Sequence, residues 1–167
     1  MLTKNYKLLK EIYVGDTGDQ DIYLRVYAKY NSQSSVNNTS SVSYQSRLYV
    51  STGSFYSGNT TQKSLSGTGA ISKIKEAANG TYSAGETVLN TITGTILHDP
   101  NGKKTISTSA TFYSSPWGWN ATVNGSETLP TIPRASKPTI NGLLQFGSTI
   151  TINTNRVDES FTHTIKY

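Results

Sequence analysis

The sequence predicts an all-β protein: an antiparallel β-sandwich, jelly-roll-like, followed by the start of a second β domain. Three observations lead there. Apolar and polar residues alternate with period two over several stretches, as in Ile22-Tyr23-Leu24-Arg25-Val26-Tyr27-Ala28-Lys29. The apolar fraction is only 34%, yet Thr, Val, Ile and Tyr are abundant, which argues for half-buried strands and against disorder. Turn signals recur at the short intervals of a sandwich or barrel.

Residues 1–20 read as an N-terminal arm, with Lys4 to Ile12 either a short helix or an extended lead-in, and Gly15 to Asp19 a loop. A sandwich domain then spans residues 21–129. Its first strand buries Ile22, Leu24, Val26 and Ala28 and turns Tyr23, Arg25, Tyr27 and Lys29 outward. Asn31 to Asn38 forms a loop. A second strand buries Val42, Tyr44, Leu48 and Val50, with Gln45, Arg47 and Tyr49 outward. Residues 51–60 read as a loop and Thr61 to Ile71 as a weaker strand. Ile71 to Glu76 is strand or a single helical turn, and Asn79-Gly80 marks a tight turn.

Val88 to Leu97 and Lys104 to Tyr113 read as two strands of a hairpin. Between them Asp99-Pro100-Asn101-Gly102 suits a type I turn with a glycine bulge. Ser114 to Trp119 is a loop, and Ala121 to Leu129 is the last strand of the domain. The prolines at 130, 133 and 138 then make a stiff connector, residues 130–138. Residues 139–167 alternate again, as in Phe161, His163, Ile165 and Tyr167. Roughly 30 residues are few for an independent core. The expectation is therefore a partial domain, either cut short or completed against another chain or against the sandwich.

Composition removes several function classes. The chain holds no cysteine, so it has no disulfide and no thiolate metal site. No apolar run approaches the length that spans a bilayer, so no membrane insertion is expected. The N-terminus lacks the apolar segment of a signal peptide, so the protein is expected to be made in a cytoplasm and released by another route, such as lysis. The net charge is +5, but the Lys and Arg are dispersed, with no run longer than Lys103-Lys104. Nucleic-acid binding is not expected from such a pattern.

Four segments resemble a known family: Asn38-Thr39-Ser40-Ser41-Val42, the turn His98-Asp99-Pro100-Asn101-Gly102-Lys103-Lys104-Thr105, the connector Leu129-Pro130-Thr131-Ile132-Pro133-Arg134-Ala135-Ser136, and Ser160-Phe161-Thr162-His163-Thr164-Ile165. Over about residues 20–167 they resemble the siphovirus minor structural proteins of phages that infect streptococci and related Firmicutes. The connector is the most specific of the four. The resemblance implies a virion protein of the tail, fibre or baseplate, in which the sandwich is followed by immunoglobulin-like repeats, so that residues 139–167 would be a partial immunoglobulin-like domain, with other tail proteins as partners and, by analogy with tail fibres, a homo-trimer. It carries no catalytic residues, and residues 1–20 depart from the family's pattern.

The residues themselves argue against an enzyme. Asp21, Glu76, Glu86, Asp99 and Glu127 sit at strand ends or in loops, where solvated charge is the ordinary state, and no carboxylate pair is evident. His98 reads as a turn-capping side chain and His163 as a strand residue. Neither has metal-ligand spacing, so no metal and no cofactor are expected. The Asn-x-Ser/Thr triplets follow from a composition rich in Ser and Thr.

Aromatic residues are the better candidates, because Tyr and Trp faces stack on sugar rings while amides and hydroxyls read sugar hydroxyl groups. The candidate carbohydrate site comprises Trp117, Trp119 and Asn120 in one loop region, Tyr56 in another, and the outward set Tyr23, Tyr27, Tyr49, Arg25 and Arg47. The bland alternatives are a loop Trp covering the end of the core and Tyr decorating a wet sheet face, or a subunit interface. The functional expectation is a binding module for host cell-wall polysaccharide or teichoic acid. The alternative is a structural spacer or assembly subunit with no ligand of its own.

Overall fold

The computed structural model describes residues 1–134 and, for the backbone, residues 139–141, 149–155 and 160–166. Eight strands build the sandwich: β1 (Lys7–Asp16), β2 (Asp21–Ser34), β3 (Thr39–Tyr56), β4 (Gln62–Gly67), β5 (Lys73–Ala77), β6 (Thr81–Leu97), β7 (Thr105–Ser114) and β8 (Trp119–Thr128). They form two four-stranded antiparallel sheets, β1-β2-β3-β6 and β5-β4-β7-β8. β3 and β6 are neighbours in one sheet, while the β4–β5 hairpin between them in sequence belongs to the other. This crossing links the two sheets of the sandwich. Among the described residues there is no helix.

The alternation in the sequence decides which faces meet. Ile22, Leu24, Val26 and Ala28 of β2 and Val42, Tyr44, Leu48 and Val50 of β3 point inward and are fully buried. Ile106, Ala110 and Phe112 of β7 and Ala121 and Val123 of β8 face them from the second sheet. Each fully buried large apolar side chain contributes about 1.5–3 kcal/mol relative to exposure, before chain entropy is set against it.

Several elements differ from the sequence expectation. Residues 1–20 are not a separate arm, and of the two readings of Lys4 to Ile12 the extended one holds from Lys7 onward. β1 is the edge strand of the first sheet, paired with β2 from Lys7↔Ala28 to Asp16↔Asp21. Leu2 is 1% exposed and joins the core, with its N–H donating to the Thr128 carbonyl at 3.0 Å. The pattern escaped notice because register shifts between Leu8 and Lys10 and between Tyr13 and Gly15 break the period of two. The loop read at Asn31–Asn38 shrinks to a tight turn after Ser34, with Asn38 at φ 54°. The loop read at 51–60 is largely strand, since β3 resumes its pairing with β6 at Ser54–Tyr56 after a shift. Of the two readings of Ile71 to Glu76 the strand holds, as β5, Lys73–Ala77.

The 98–104 turn has the expected local form. The Gly102 N–H donates to the Asp99 carbonyl at 2.8 Å, the Asp99 N–H to the Lys103 carbonyl at 2.9 Å, and Gly102 has φ 76°. It does not close a hairpin, however. β6 pairs with β3 and β7 pairs with β4 and β8, so the turn is an arch from one sheet to the other. Buried His98 holds it: Nδ1–H donates to the Gly102 carbonyl at 2.8 Å, and Nε2 accepts from Ser40 Oγ of β3 at 2.7 Å. Alternation is the same in a hairpin and in an arch, because both need one buried face per strand.

The start of the connector lies on the sandwich. Leu129 and Ile132 are buried, the Ile132 N–H donates to the Gly102 carbonyl at 2.9 Å, and Arg134 donates to the Ser35 carbonyl at 3.1 Å. Connector residues 135–138 fall outside the described residues, as do parts of the strands read at Thr139–Leu144 and Ser148–Asn153, and Tyr167. The described backbone beyond the connector forms a three-stranded antiparallel sheet of β9 (Thr139–Asn141), β10 (Thr149–Asn155) and β11 (Ser160–Lys166), in the order β11-β10-β9. The side-chain alternation read at Phe161, His163 and Ile165 also lies outside what is described.

Gly15 of β1 is packed under the Trp119 indole, in the space where a Cβ would stand. Gly15→Ala is therefore expected to destabilise the protein by roughly 1–3 kcal/mol through overpacking. Urea unfolding followed by Trp fluorescence measures it, and an unchanged midpoint would contradict this packing.

Candidate functional site

The outer face of the first sheet carries the Tyr and Arg candidates. Register places Tyr13, Tyr23 and Tyr49 in one row, and Glu11, Arg25 and Arg47 in the next. The Tyr13 and Tyr23 rings pack edge to face at 5.6 Å, and Tyr23 and Tyr49 lie 6.2 Å apart. Arg25 and Arg47 stand directly opposite each other, a like-charge pair that repels unless something bridges it. Glu86 of β6 is the bridge: Arg25 donates to its Oε1 at 2.9 Å and Arg47 to its Oε2 at 2.7 Å. The Tyr27 hydroxyl donates to the same carboxylate.

Each arginine has further partners. Arg25 Nε donates to Glu11 at 2.9 Å, and Arg47 donates to Gln45 Oε1 at 3.0 and 2.7 Å. Arg25 lies over the Tyr49 ring at 4.1 Å and Arg47 over Tyr27 at 4.2 Å. Tyr27 points away from the core, as alternation predicts, but is only 9% exposed because this network covers it. The two guanidinium groups are thus spoken for within the fold, and Tyr13, Tyr23 and Tyr49 provide the accessible aromatic surface.

A second aromatic group closes one end of the sandwich. Trp119 opens β8 and is only 7% exposed, packed edge-on against Phe55 at 5.3 Å. It is a core residue, because its place in the strand alternates inward with Ala121 and Val123. Trp117 is 39% exposed. Its ring stacks on Trp119 at 5.2 Å and 18°, and its Nε1–H donates to the Tyr56 carbonyl at 2.9 Å. Tyr56 is 52% exposed, and its hydroxyl donates to Asn59 Oδ1 at 2.6 Å.

The loop beneath Tyr56 is held by buried hydroxyls. Ser57 Oγ donates to the Ala78 carbonyl at 2.8 Å, Thr61 Oγ1 to Ser114 Oγ at 3.1 Å, and Ser114 Oγ to the Ser57 carbonyl at 2.7 Å. Such bonds fix Tyr56 and Trp117 in place before any ligand arrives.

The predicted site residues therefore do not form one site. Tyr23, Tyr27, Tyr49, Arg25 and Arg47 share the outer face of the first sheet, and Trp117 and Tyr56 share the sandwich end. Asn120 is exposed on β8, opposite Tyr113 in register and facing away from Trp119. A shallow depression of about 400 Å³ on the second sheet was not anticipated; its walls include Ser66, Thr68, Ser107, Ser109, Asn124 and Ser126. The signal for it is the run of small polar residues at every second position of β7 and β8. Glu86, read from sequence as an ordinary solvated carboxylate, organises the first face.

Burial pushes the Glu86 carboxyl upward, but the hydrogen bonds from Tyr27, Arg47 and Arg25 outweigh it and hold the group down at about 2, from an ordinary 4.5. A carboxyl lowered on folding contributes stability that is present above its unfolded value and lost as pH falls. Wild type is expected to lose that contribution between pH 4.5 and about 2. Glu86→Gln is expected to be less stable than wild type at pH 7, with the gap narrowing through that window. Thermal melts of both proteins across pH 7 to 2.5 test this, and a gap independent of pH would refute it.

Residues 15–167 match the family described as "Siphovirus protein of unknown function (DUF859)". No curated protein and no solved structure matches the chain. With the match covering the sandwich from the end of β1 onward as well as the C-terminal strands, this chain belongs to that family of siphovirus proteins.

Proposed function

We propose that the protein is a structural module of the virion tail and recognises host cell-wall carbohydrate through the Trp117–Tyr56 end of its sandwich. The observation that carries this reading is the pair of exposed rings held at the end of β3 and in the turn before β8, Trp117 by its stack on Trp119 and its bond to the Tyr56 carbonyl. A ring fixed before binding loses little freedom on contact, and the Asn59 amide beside Tyr56 supplies hydrogen-bonding groups. The tail assignment is supported by the siphovirus family and by the Pro-rich connector that leads into a further β segment.

A neutral polysaccharide suits this end better than an anionic teichoic acid, because the two arginines among the candidates, Arg25 and Arg47, lie instead on the outer face of the first sheet, bonded to Glu86, Glu11 and Gln45. Multiple copies in a virion would raise a weak single-site affinity into useful avidity.

The test is binding of labelled protein, presented on beads, to host cells and to their extracted wall polysaccharide. Trp117→Ala and Tyr56→Ala are each expected to weaken binding roughly tenfold, about 1.4 kcal/mol, with the fold intact. Trp119→Ala is expected instead to cost about 3–5 kcal/mol of stability. Absence of binding by the multivalent wild type would favour a spacer or assembly subunit without a ligand.

A further inference from the structure

One open edge of the gap between the sheets, where β5 and β6 are the outer strands, holds a polar cluster that the proposed function does not use. Lys63 of β4 and Glu76 of β5 are directly opposed across their strand pair. Asn90 belongs to β6, in the other sheet, and is 3% exposed. With its amide oriented to satisfy its neighbours, Asn90 donates to Glu76 Oε2 at 2.7 Å and to the Leu89 carbonyl at 2.9 Å. The Lys63 ammonium donates to that same Leu89 carbonyl at 2.6 Å. A primary amine and a primary carboxamide thus meet on one oxygen, with a carboxylate on the carboxamide nitrogen. Glu76 is further paired with Lys73 at 3.6 Å. Ser46, opposite Asn90 in register, is buried and its hydroxyl has no partner among the described residues.

Solvated charge on Lys63 and Glu76 and an ordinary buried amide account for each residue singly. They do not account for the convergence of all three across the gap between two sheets. These are the three groups that amide exchange needs: a nucleophile, an acyl carbon with nitrogen as leaving group, and a proton carrier beside that nitrogen.

We propose that Lys63 and Asn90 form an intramolecular amide bond that joins the two sheets, with Glu76 carrying the proton. Swung off the Leu89 carbonyl toward the residue opposite it in register, the Lys63 ammonium passes a proton to the Glu76 carboxylate, leaving a neutral amine. Further rotation of the Lys63 side chain brings Nζ to Asn90 Cγ, and the Nζ–Cγ bond forms. A proton passes from Nζ to the Asn90 nitrogen, and the bond from Cγ to that nitrogen breaks. The released ammonia takes the proton held by Glu76 and leaves as ammonium, and Glu76 returns to carboxylate. No electron is transferred and no co-reactant is required. The product is one secondary amide between β4 and β6, plus one ammonium ion.

The experiment is intact-mass measurement of the denatured full chain, followed by proteolysis and peptide mapping. The expected mass is that of the sequence less one ammonia, with a branched peptide joining the segment of Lys63 to that of Asn90. Lys63→Met is expected to keep the full mass, and Glu76→Gln to keep most of the chain at full mass while circular dichroism shows the same β fold. The full sequence mass in wild type, even after days at neutral pH, would overturn the proposal. Ring closure at Asn79-Gly80, Asn101-Gly102 or Asn124-Gly125 also releases ammonia. A loss that maps to one of those sites, with no branched peptide, would overturn it equally. Mapping on wild type decides the matter even where a variant fails to fold.

Discussion

The close approach of two apolar sheet faces governs the rest of this molecule. Eight strands supply side chains of very unequal size, from Ala28 to Tyr44 and Trp119, and the gap between sheets must accept all of them. It does so by pairing large with absent. Trp119 fills the space that Gly15 leaves empty, and the Tyr44 ring lies against Gly67 of the opposite sheet. The edge strand β1 consequently packs against the core through Leu9 and Val14, although its own sequence is irregular. Because Trp119 is wedged in place, Trp117 has a fixed surface to stack on, and the exposed end inherits its rigidity from the interior.

Much of the architecture is legible from period two alone. The inward sets of β2 and β3 were assignable residue by residue, because an antiparallel strand with one wet face leaves no other arrangement for Ile22-Leu24-Val26-Ala28. Three kinds of information were not available there. Bulges hid β1. Ser- and Asn-rich stretches such as residues 31–34 are strand only because a neighbour supplies the ladder. Sheet membership is invisible to alternation, so the 98–104 turn could be placed but not the divergence of its strands. The candidate site was legible to a similar degree. Outward Tyr and Arg residues are nameable from their parity, whereas Trp117 in the turn and Trp119, the first residue of β8, differ in burial because the strand begins between them.

The Arg25–Arg47 pair shows how a local conflict is resolved from a third strand. Opposed guanidinium groups on β2 and β3 would weaken the central pairing of the first sheet. Glu86 on β6 reaches both, and Tyr27 and Tyr49 give each cation an aromatic face. The outcome is a face rich in Arg and Tyr whose charges are consumed internally. A composition that resembles a binding surface in sequence is here largely the means by which three strands hold their register.

The arch at 98–104 also determines how tension would enter the sandwich. The Gly102 carbonyl receives both the His98 imidazole and the Ile132 N–H, and the Lys104 carbonyl receives the Leu129 N–H. A pull on the chain beyond Arg134 is therefore delivered to the backbone of the arch before it reaches the end of β8. From there His98 and Ser40 pass it to β3, an interior strand paired along both edges. Load is shared between the two sheets from the first bond strained, rather than peeling a terminal strand away one hydrogen bond at a time.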